Sequence, residues 1–397
     1  MDAAPNISFE DTSVAFKYKS NGALRKAQFI FSLINHPWMS AAAISAVKAA
    51  LVVRLPIEGI IRNTVFSHFC GGESIEESEP TIRQMAKYRV YTILDYSVEG
   101  EKTESGFDST MGEIIRTIEQ AHVSKDIPFS VFKVTGIASA DLLEKIQRRD
   151  SLTEVESIAW ERVRQRVDEI CGKAYAYNIP VLIDAEETWI QDAIDALAYS
   201  MMQKYNKARA IIYNTFQMYR TQSPRNVRDA YHNAAMHNYY LGAKLVRGAY
   251  MEKERDRAEE LNYASPIFAD KQSTDDAFNN ALSFCIDHKQ RISVMCGSHN
   301  EYSNYYLTVL MEKHGLRNND ERVWFSQLLG MSDNISFNLA SAGYNVAKYV
   351  PYGPVRSVMP YLFRRAEENT SVAGQSSREL TLIQKEISRR RLRPESN

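Results

Sequence analysis

The sequence lacks the glycine-rich loops with which many proteins hold a nucleotide by its phosphates. No Gly-x-Gly-x-x-Gly and no Walker-type loop occurs among its 397 residues, so neither a Rossmann dinucleotide fold nor a P-loop is indicated. Its four cysteines, Cys70, Cys171, Cys285 and Cys296, are widely scattered and form no Cys-x-x-Cys pair. That spacing indicates neither a zinc site nor a disulfide framework, and we expect buried thiols in a reducing compartment.

An excess of basic charge and a long apolar run are absent as well. The net charge is −1, from 48 basic and 49 acidic residues, so a nucleic-acid partner is not expected. No window holds the roughly 18 uncharged apolar residues of a transmembrane helix. The nearest stretch, 41–55, is interrupted by Lys48 and Arg54. We expect a buried or half-buried helix there, with contact to a membrane surface as the alternative.

From residue 90 onward the sequence alternates between β-branched runs and stretches with helical spacing. Helical spacing is clearest in 188–204, 223–239 and 274–289. The predicted strands are 90–96, 129–136, 179–186, 210–219, 243–250, 292–299, 323–330 and 344–353. This alternation predicts parallel strands joined by helical crossovers, and eight such units match an α/β fold, the (β/α)8 TIM barrel.

The segments outside this alternation complete the predicted organisation. Residues 21–90 predict several N-terminal helices, and 138–175 predicts a helical insertion after strand 2. We therefore divide the chain into an N-terminal helical segment (1–89), a catalytic barrel (90–380) and a basic C-terminal tail (381–397). For the basic run of this tail, 386–394, we expect a solvated and disordered end, with contact to an anionic bilayer as the alternative.

Polar side chains collect at the C-terminal ends of the predicted strands, where barrel enzymes carry their chemistry. They are Lys133, Asp184, Glu186, Glu187, Gln217, Lys244, Arg247, Gly248, Tyr250, Ser298, His299, Asn300 and Tyr349. A set this polar is unusual for a packed barrel end, so it predicts a binding or catalytic site.

The helix predicted after the last strand carries the stretch YLFRRAEEN at 361–369. At about 100° per residue, its polar residues share one face. They are Tyr361, Arg364, Arg365 and Glu368. Adjacent arginines form a fork suited to a carboxylate or a phosphate, whereas a solvated ion pair is the plainer interpretation. Arginine before glutamate is the less favourable order for a surface pair, which favours the binding interpretation.

Four motifs taken together resemble the proline dehydrogenase family. They are KLVRGAYMEKER (244–255), VLIDAEET (181–188), YLFRRAEEN (361–369) and GQSSREL (374–380). The resemblance implies a distorted (β/α)8 barrel that holds FAD non-covalently. It also implies that L-proline is oxidised to Δ1-pyrroline-5-carboxylate and that the electrons pass to a membrane quinone. A chain of 397 residues has no room for a fused aldehyde dehydrogenase, so it resembles the monofunctional branch.

For the substrate, the resemblance implies a carboxylate clamp. Arg364 and Arg365 match the pair that grips the proline carboxylate, and Glu368 matches the acid that orients them. Lys133 matches a third cation of the same site. The residues implied as walls of the proline pocket are Leu245, Tyr250, Tyr349 and Tyr361. The ring of Tyr349 would leave little room for a 4-hydroxyl, which favours proline over hydroxyproline.

For the cofactor, the resemblance implies a loop that approaches FAD. Arg247, Gly248 and Ala249 match this loop, and a glycine lets backbone N–H groups come close. Lys244 stands where many members carry arginine, and it keeps positive charge near the flavin. The further cofactor residues implied are Ala185, Gln217, Ser298, His299 and Asn300. Asp184 matches an active-site aspartate, which we expect to be hydrogen-bonded to a neighbour such as a tyrosine or an arginine. Asp184 and Lys244 are the catalytic candidates.

The implied reaction is a hydride transfer from C5 of proline to flavin N5, for which the amine must be neutral. The cations around the carboxylate would lower the pKa of that amine. Implied partners are L-proline, the quinone, a peripheral membrane surface and a downstream pyrroline-5-carboxylate dehydrogenase. Two alternatives are a barrel that binds FAD or another ligand without turnover, and a barrel enzyme acting on phosphorylated substrates.

The N-terminal stretch MDAAPNISFEDTS bears on the compartment. It is acidic and has no apolar run, which argues against a secretory signal and a mitochondrial transit peptide. We therefore expect a cytoplasmic protein on the inner face of a bacterial membrane, with the mitochondrial matrix or inner membrane as the alternative.

Overall fold

The computed structural model describes residues 7–53, 55–98, 101–371 and 375–392. Eight strands follow one another in order around a closed parallel barrel. They are β1 (Val90–Tyr96), β2 (Phe129–Phe132), β3 (Val181–Ile183), β4 (Ile212–Gln217), β5 (Leu241–Val246), β6 (Ile292–Gly297), β7 (Val323–Leu328) and β8 (Val346–Tyr352). The predicted (β/α)8 fold is confirmed. Most observed strands are shorter than the predicted runs because their polar ends turn into loops.

Helices precede, separate and follow these strands. The helices before β1 are α1 (Thr12–Ala15), α2 (Asn21–Ile34), α3 (Pro37–Val52), α4 (Glu58–Ile61), α5 (Ser67–Phe69) and α6 (Ile75–Ala86). Those between β1 and β6 are α7 (Glu104–Val123), α8 (Ala140–Arg148), α9 (Glu154–Tyr177), α10 (Thr188–Tyr205), α11 (Ser223–Met236), α12 (Met251–Glu260) and α13 (Lys271–Asp287). The remaining ones are α14 (Glu301–Lys313), α15 (Asp333–Ser341), α16 (Val355–Ser371) and α17 (Gln375–Leu392).

The described residues fall into two compact units. The central unit comprises 93–96 and 101–326, and the terminal unit comprises the described residues of 7–92, 97–98 and 327–392. The predicted division at 89 and 380 stays a prediction. The insertion predicted after strand 2 is confirmed, because α8 and α9 both lie between β2 and β3.

Parallel register aligns the strands of the central unit, so their C-terminal ends share one edge. Gln217 at the end of β4 lies opposite Val246 of β5, and Leu245 of β5 lies opposite Cys296 of β6. Every residue of β3 and β4 is buried, as expected for parallel strands covered on both faces. Side chains that follow these strands are therefore placed on a rigid edge.

The terminal unit has its own apolar core, to which α2, α16 and α17 contribute. Leu24, Phe31, Val358, Leu362 and Leu382 are among its buried members. β8 of this unit is buried along its whole length. This core fixes α16, the helix that carries the two adjacent arginines.

The expectation of a disordered end is wrong for 386–392, because α17 continues to Leu392. Glu386 is fully buried and accepts hydrogen bonds from Arg389 at 2.8 Å and Arg390 at 2.7 Å. Arg390 also donates to the carbonyl oxygen of Phe16 at 2.8 Å. The arginines are therefore ordered by a buried acid, and residues 393 and 394 lie outside the described residues.

The expectation of a buried or half-buried helix at 41–55 is confirmed on one side only. In α3 the half-buried residues are Ala43, Ile44, Val47 and Ala50, and Val47 packs against the apolar core. Ala41, Ala42, Ala46 and Ala49 are exposed, as is Lys48. The helix is apolar on all sides, and contacts with α2 and α16 cover only part of it. By contrast, the four cysteines are buried as predicted.

Candidate active site

Polar side chains lie at the C-terminal ends of four strands of the central unit. Asp184 directly follows β3, and Gln217 is the last residue of β4. Arg247 directly follows β5, and Ser298 directly follows β6. Parallel register brings such positions to one edge of the barrel, where barrel enzymes carry their site. We describe the contacts of each below.

Lys244 and Asp184 form a nearly buried ion pair. The Nζ atom of Lys244 donates to Oδ1 of Asp184 at 2.6 Å, and the two side chains are 7% and 15% exposed. The aspartate is hydrogen-bonded as expected, but this partner is a lysine from β5, where a tyrosine or an arginine was predicted. A charge pair with this little exposure is sensitive to loss of either member.

Arg247 is the centre of a second network. Its Nε donates to Asp275 Oδ1 at 2.7 Å, and its two Nη atoms donate to Ser298 Oγ at 2.7 Å and Ser303 Oγ at 2.9 Å. The guanidinium carbon also lies 4.5 Å from the ring centroid of Phe278. Although burial opposes it, Lys271 and Arg247 hold the pKa of Asp275 below its usual value. The arginine is thus fixed in position and charge.

Ser298 and Asn300 complete this network. Ser298 Oγ accepts the N–H of Asn300 at 3.1 Å. Asn300 is the N-cap of α14 and accepts the N–H of Ser303 at 2.9 Å. His299 between them is half-buried. The start of α14 is therefore tied to Arg247 through Ser298 and Ser303.

Gln217 and Gly248 shape the space at the ends of β4 and β5. Gln217 is 2% exposed, donates to the carbonyl of Glu186 at 2.6 Å and accepts the N–H of Ala249 at 3.4 Å. Gly248 has φ of +135°, and a Cβ there would lie 2.6 Å from the ring of Tyr219. Only glycine fits this position without strain. The hydroxyl of Tyr219 is itself buried, and no described residue forms a hydrogen bond with it.

Glu186 ties together the loops that follow β2 and β3. Its carboxylate accepts the N–H of Thr135 at 3.0 Å and also the Thr135 hydroxyl. Its own N–H donates to Gln191 Oε1 at 2.7 Å. Burial raises the pKa of Glu186 to about 7, although Thr135 and then Lys133 oppose the shift. Thr135 follows Lys133 by two residues, so this contact fixes the backbone next to the lysine.

Glu187 and the buried Glu254 link the loop after β3 to α12. Glu187 accepts a hydrogen bond from Lys253. Thr188 donates to Glu254 twice, from its backbone N–H at 2.7 Å and its hydroxyl at 2.6 Å. The remaining candidates in this unit are placed by the same segments. Lys133, Ala185 and Tyr250 are half-buried, Ala249 is exposed and Leu245 is fully buried in β5.

The terminal unit carries the other predicted substrate residues. Tyr349 lies in β8 and is 5% exposed, and Tyr361 and Arg365 of α16 are 4% and 8% exposed. The guanidinium carbon of Arg365 lies 5.3 Å from the ring centroid of Tyr361, so the predicted shared helix face is confirmed for these two. Arg364 is half-buried. The side chain of Glu368 lies outside the described residues, and the shared carboxylate clamp stays a prediction.

A buried charge cluster that the sequence did not indicate lies in the same unit. Asp333 is 1% exposed and pairs with Lys19 and Lys348, each at 2.8 Å. Tyr18 donates to it at 2.7 Å. Burial acts on Asp333 in the opposite sense, but the two lysines hold its pKa well below the usual range. Glu379 of α17 accepts the N–H of Ser332, and burial raises the pKa of Glu379 to about 7.

Several supporting residues of the site escaped the sequence reasoning. They are Thr135, Asp275, Ser303 and Tyr219. Each of them contacts a functional residue that lies on a different element. In the three hydrogen-bonded cases, the two partners are between 28 and 56 residues apart in the sequence. Glu379 lies within the motif GQSSREL, but nothing in the sequence singled it out or placed its partner.

Comparison with known proteins gives the site a family. A closed eight-stranded barrel with buried cations and amides at its strand ends is the arrangement of a barrel enzyme. The model of the family "Proline dehydrogenase" matches residues 78–378. The chain belongs to the proline dehydrogenase family.

Individual relatives and solved structures are similar to this chain over different shares of their length. Carbapenem antibiotics biosynthesis protein CarD of Pectobacterium carotovorum subsp. carotovorum is 35% identical over 84% of this chain and 86% of its own length. Proline dehydrogenase 1, mitochondrial, of Dictyostelium discoideum is 34% identical over 84% of this chain and 66% of its own. A crystal structure of proline utilization A (PutA) from Bdellovibrio bacteriovorus has a TM-score of 0.71 at 17% identity. The match covers 92% of this chain but only 38% of that one, and it shows the fold.

Proposed function

We propose that this chain oxidises L-proline to Δ1-pyrroline-5-carboxylate, with FAD as cofactor and a membrane quinone as electron acceptor. The family match over residues 78–378 supports proline oxidation as a step of proline catabolism. The observation that carries the proposal is the set of fixed cations at the strand ends, Lys244 with Asp184 and Arg247 with Asp275. The product, Δ1-pyrroline-5-carboxylate, would pass to a pyrroline-5-carboxylate dehydrogenase.

The residues at these strand ends fit a flavin. When bound, FAD supplies the acceptor for the hydride that leaves C5 of proline. Lys244 and Arg247 supply positive charge, which favours the anionic reduced state of a flavin. Gln217 supplies an amide. The missing side chain at Gly248 lets the ring of Tyr219 pack against the backbone of the loop. The Tyr219 hydroxyl, which is buried and has no hydrogen-bond partner among the described residues, is a further polar group of this region.

The remaining cofactor candidates act through the geometry around Arg247. Ser298 and Asn300 keep the start of α14 in place, with Ser298 accepting from Arg247. His299 and Ala185 belong to the same group of candidates and stay predictions. In this proposal Asp184 orients Lys244 through their hydrogen bond, so it positions a cation of the site and transfers no proton.

The substrate would be held by three cations and a wall of aromatic rings. Arg364, Arg365 and Lys133 would grip the carboxylate of proline, and Glu368 would orient the arginines. Cations beside the carboxylate lower the pKa of the substrate amine, and a neutral amine supplies the lone pair that the leaving hydride requires. The pocket walls of the proposal are Leu245, Tyr250, Tyr349 and Tyr361.

Steady-state kinetics with a soluble dye as acceptor tests the clamp. Arg364→Met should raise KM for L-proline roughly 10- to 150-fold, because a charged hydrogen bond contributes about 1.5–3 kcal/mol. Arg356→Met is the matched control, since Arg356 lies on the same helix with its side chain 58% exposed. Wild-type KM in Arg364→Met would overturn the clamp. Dye reduction by neither proline nor hydroxyproline in FAD-loaded protein would favour the barrel without turnover.

The compartment and the acceptor belong to the proposal as well. A quinone acceptor requires a peripheral contact with a membrane. The proposed location is the inner face of a bacterial membrane. The name of the Dictyostelium relative includes "mitochondrial", which supports the mitochondrial alternative. Fractionation of the native cells, with the dye assay on each fraction, distinguishes the two.

A further inference from the structure

Helix α3 is apolar on every side and yet largely exposed. Its sequence is PWMSAAAISAVKAALV, with Lys48 as its one charged residue. Trp38 at its start is 74% exposed, and most of the described alanines that follow are exposed too. A helix that is apolar all round normally lies in a protein core or in a membrane. The contacts of α3 within the terminal unit leave most of it uncovered.

Exposed apolar side chains also occur on the segments before and after α3. Phe29 of α2 is 67% exposed, Val53 is 66% exposed and Ile60 is 68% exposed. Phe29 lies four residues after the exposed Arg25, so the two share one face of α2. Large exposed side chains are ordinary when they are scattered singly, but this concentration in one segment marks an interaction surface.

The charge of this segment is strongly one-sided. Residues 21–57 contain none of the 49 acidic residues of the chain, whereas Arg25, Lys26, Lys48 and Arg54 give them four basic ones. The chain as a whole has a net charge of −1. Within 21–57 the apolar side chains are therefore accompanied by cations alone, and Glu58, two residues before Ile60, is paired with Arg356. This positive charge complements a partner that is apolar and negatively charged.

We propose that α2 and α3 form a docking surface for an anionic lipid bilayer. A bilayer offers acyl chains to Trp38 and Phe29 and negative headgroups to Arg25 and Lys48, whose long side chains can reach the headgroup level. A second copy of this chain would instead bring the same cations against one another. The inference rests on the proposed function in one respect, since a membrane quinone acceptor gives the docking its purpose.

The length of α3 favours a position along the membrane surface. Sixteen residues at about 1.5 Å each give about 24 Å, which is shorter than the roughly 30 Å of a hydrocarbon core. Within the described ranges, no single helix is long and apolar enough to cross a membrane. α2 and the helical segment 38–50 are bent by 98° relative to each other. Only when the two are taken together do they reach the length and apolar composition of a membrane span.

Co-sedimentation of the FAD-loaded protein with vesicles tests the proposal. The vesicles are phosphatidylcholine alone, or phosphatidylcholine with about one third phosphatidylglycerol. Wild-type protein should bind the anionic vesicles more tightly, and added salt should weaken that binding. Arg25→Glu should weaken it at least about fivefold. The double variant Phe29→Ser with Trp38→Ser should weaken it at least about tenfold.

Matched controls carry the same substitutions on exposed positions of the central unit. Val155→Ser with Met236→Ser removes two apolar side chains that are 77% and 79% exposed, and Lys207→Glu reverses an exposed charge. Both controls should bind as wild type does, and every variant should keep its dye activity with proline.

Three results would overturn the docking surface. The first is that the wild-type protein binds both kinds of vesicle equally well. The second is that the double variant Phe29→Ser with Trp38→Ser binds anionic vesicles as tightly as the wild type does. The third is that this double variant changes its oligomeric mass but not its binding to vesicles. Failure of the proposed function is a separate outcome, because it would abolish dye reduction by proline in protein that still binds anionic vesicles.

Discussion

Replacement of Glu186 by glutamine should change how the stability of the protein depends on pH. Glu186 is 3% exposed, and burial raises its pKa from 4.5 to about 7. The native state therefore keeps the proton over a range in which the unfolded chain has already released it. The free energy of unfolding consequently falls as pH rises from about 4.5 to about 7, and this contribution is constant above that range.

The size of the effect follows from the shift in pKa. A change from 4.5 to about 7, at about 1.4 kcal/mol per pH unit, corresponds to a loss of about 3.5 kcal/mol across this range. Glu379 of the terminal unit, whose pKa is likewise raised to about 7, contributes in the same direction, and burial also raises the pKa of Asp195 and Glu254. Glu186→Gln should thus remove one contribution to the slope, and the double variant Glu186→Gln with Glu379→Gln should remove two.

Urea unfolding between about pH 4.5 and about pH 8, followed by circular dichroism, measures this slope. The matched control is Glu312→Gln, because Glu312 is exposed near the end of α14. The control should keep the wild-type dependence on pH. A Glu186→Gln variant with the full wild-type slope would refute the reasoning that the buried carboxyl releases its proton near pH 7.

Three further substitutions probe the cofactor loop and the buried charge cluster. Arg247→Lys keeps the charge but loses the fork of hydrogen bonds, so flavin content after dialysis should fall at least about tenfold, and wild-type content would contradict this. Gly248→Ala places a Cβ 2.6 Å from the ring of Tyr219 at φ of +135°. It should cost about 2 kcal/mol or more, and an unchanged Tm would refute the strain. Lys348→Met leaves Asp333 buried with one cation fewer and should cost about 3–5 kcal/mol in urea unfolding. A decrease in the free energy of unfolding of less than about 1 kcal/mol would show that Lys19 alone is enough to balance the buried charge of Asp333.

The sequence predicted the barrel because its physical signals are local and repeated. Each strand is a short β-branched run, and each crossover has helical spacing, so all eight strands were found at their positions. The strand ends were predicted too long, since polar residues such as Asp184 and Glu186 follow the apolar run of β3 but lie outside the strand. The burial of α3 was predicted for one side only, because composition states how apolar a helix is and says nothing of what covers it.

Site residues that directly follow a strand could be predicted from the sequence. Partners that lie on a distant segment of the chain could not. Lys244 and Arg247 were found because β5 presents them at its end. Asp275, which fixes Arg247, comes from α13, and no local pattern joins the two. The buried pair of Asp333 and Lys348 was missed because a charged residue in a sequence predicts exposure unless its partner is known.

The proposed oxidation of proline is tested most directly by an anaerobic titration of the FAD-loaded protein with L-proline, followed by flavin absorbance. L-proline should bleach the flavin, D-proline should not, and 4-hydroxyproline should do so only weakly because of Tyr349. A protein that binds FAD and keeps its full absorbance at saturating L-proline would contradict the proposed oxidation, although the barrel and its fixed cations would remain.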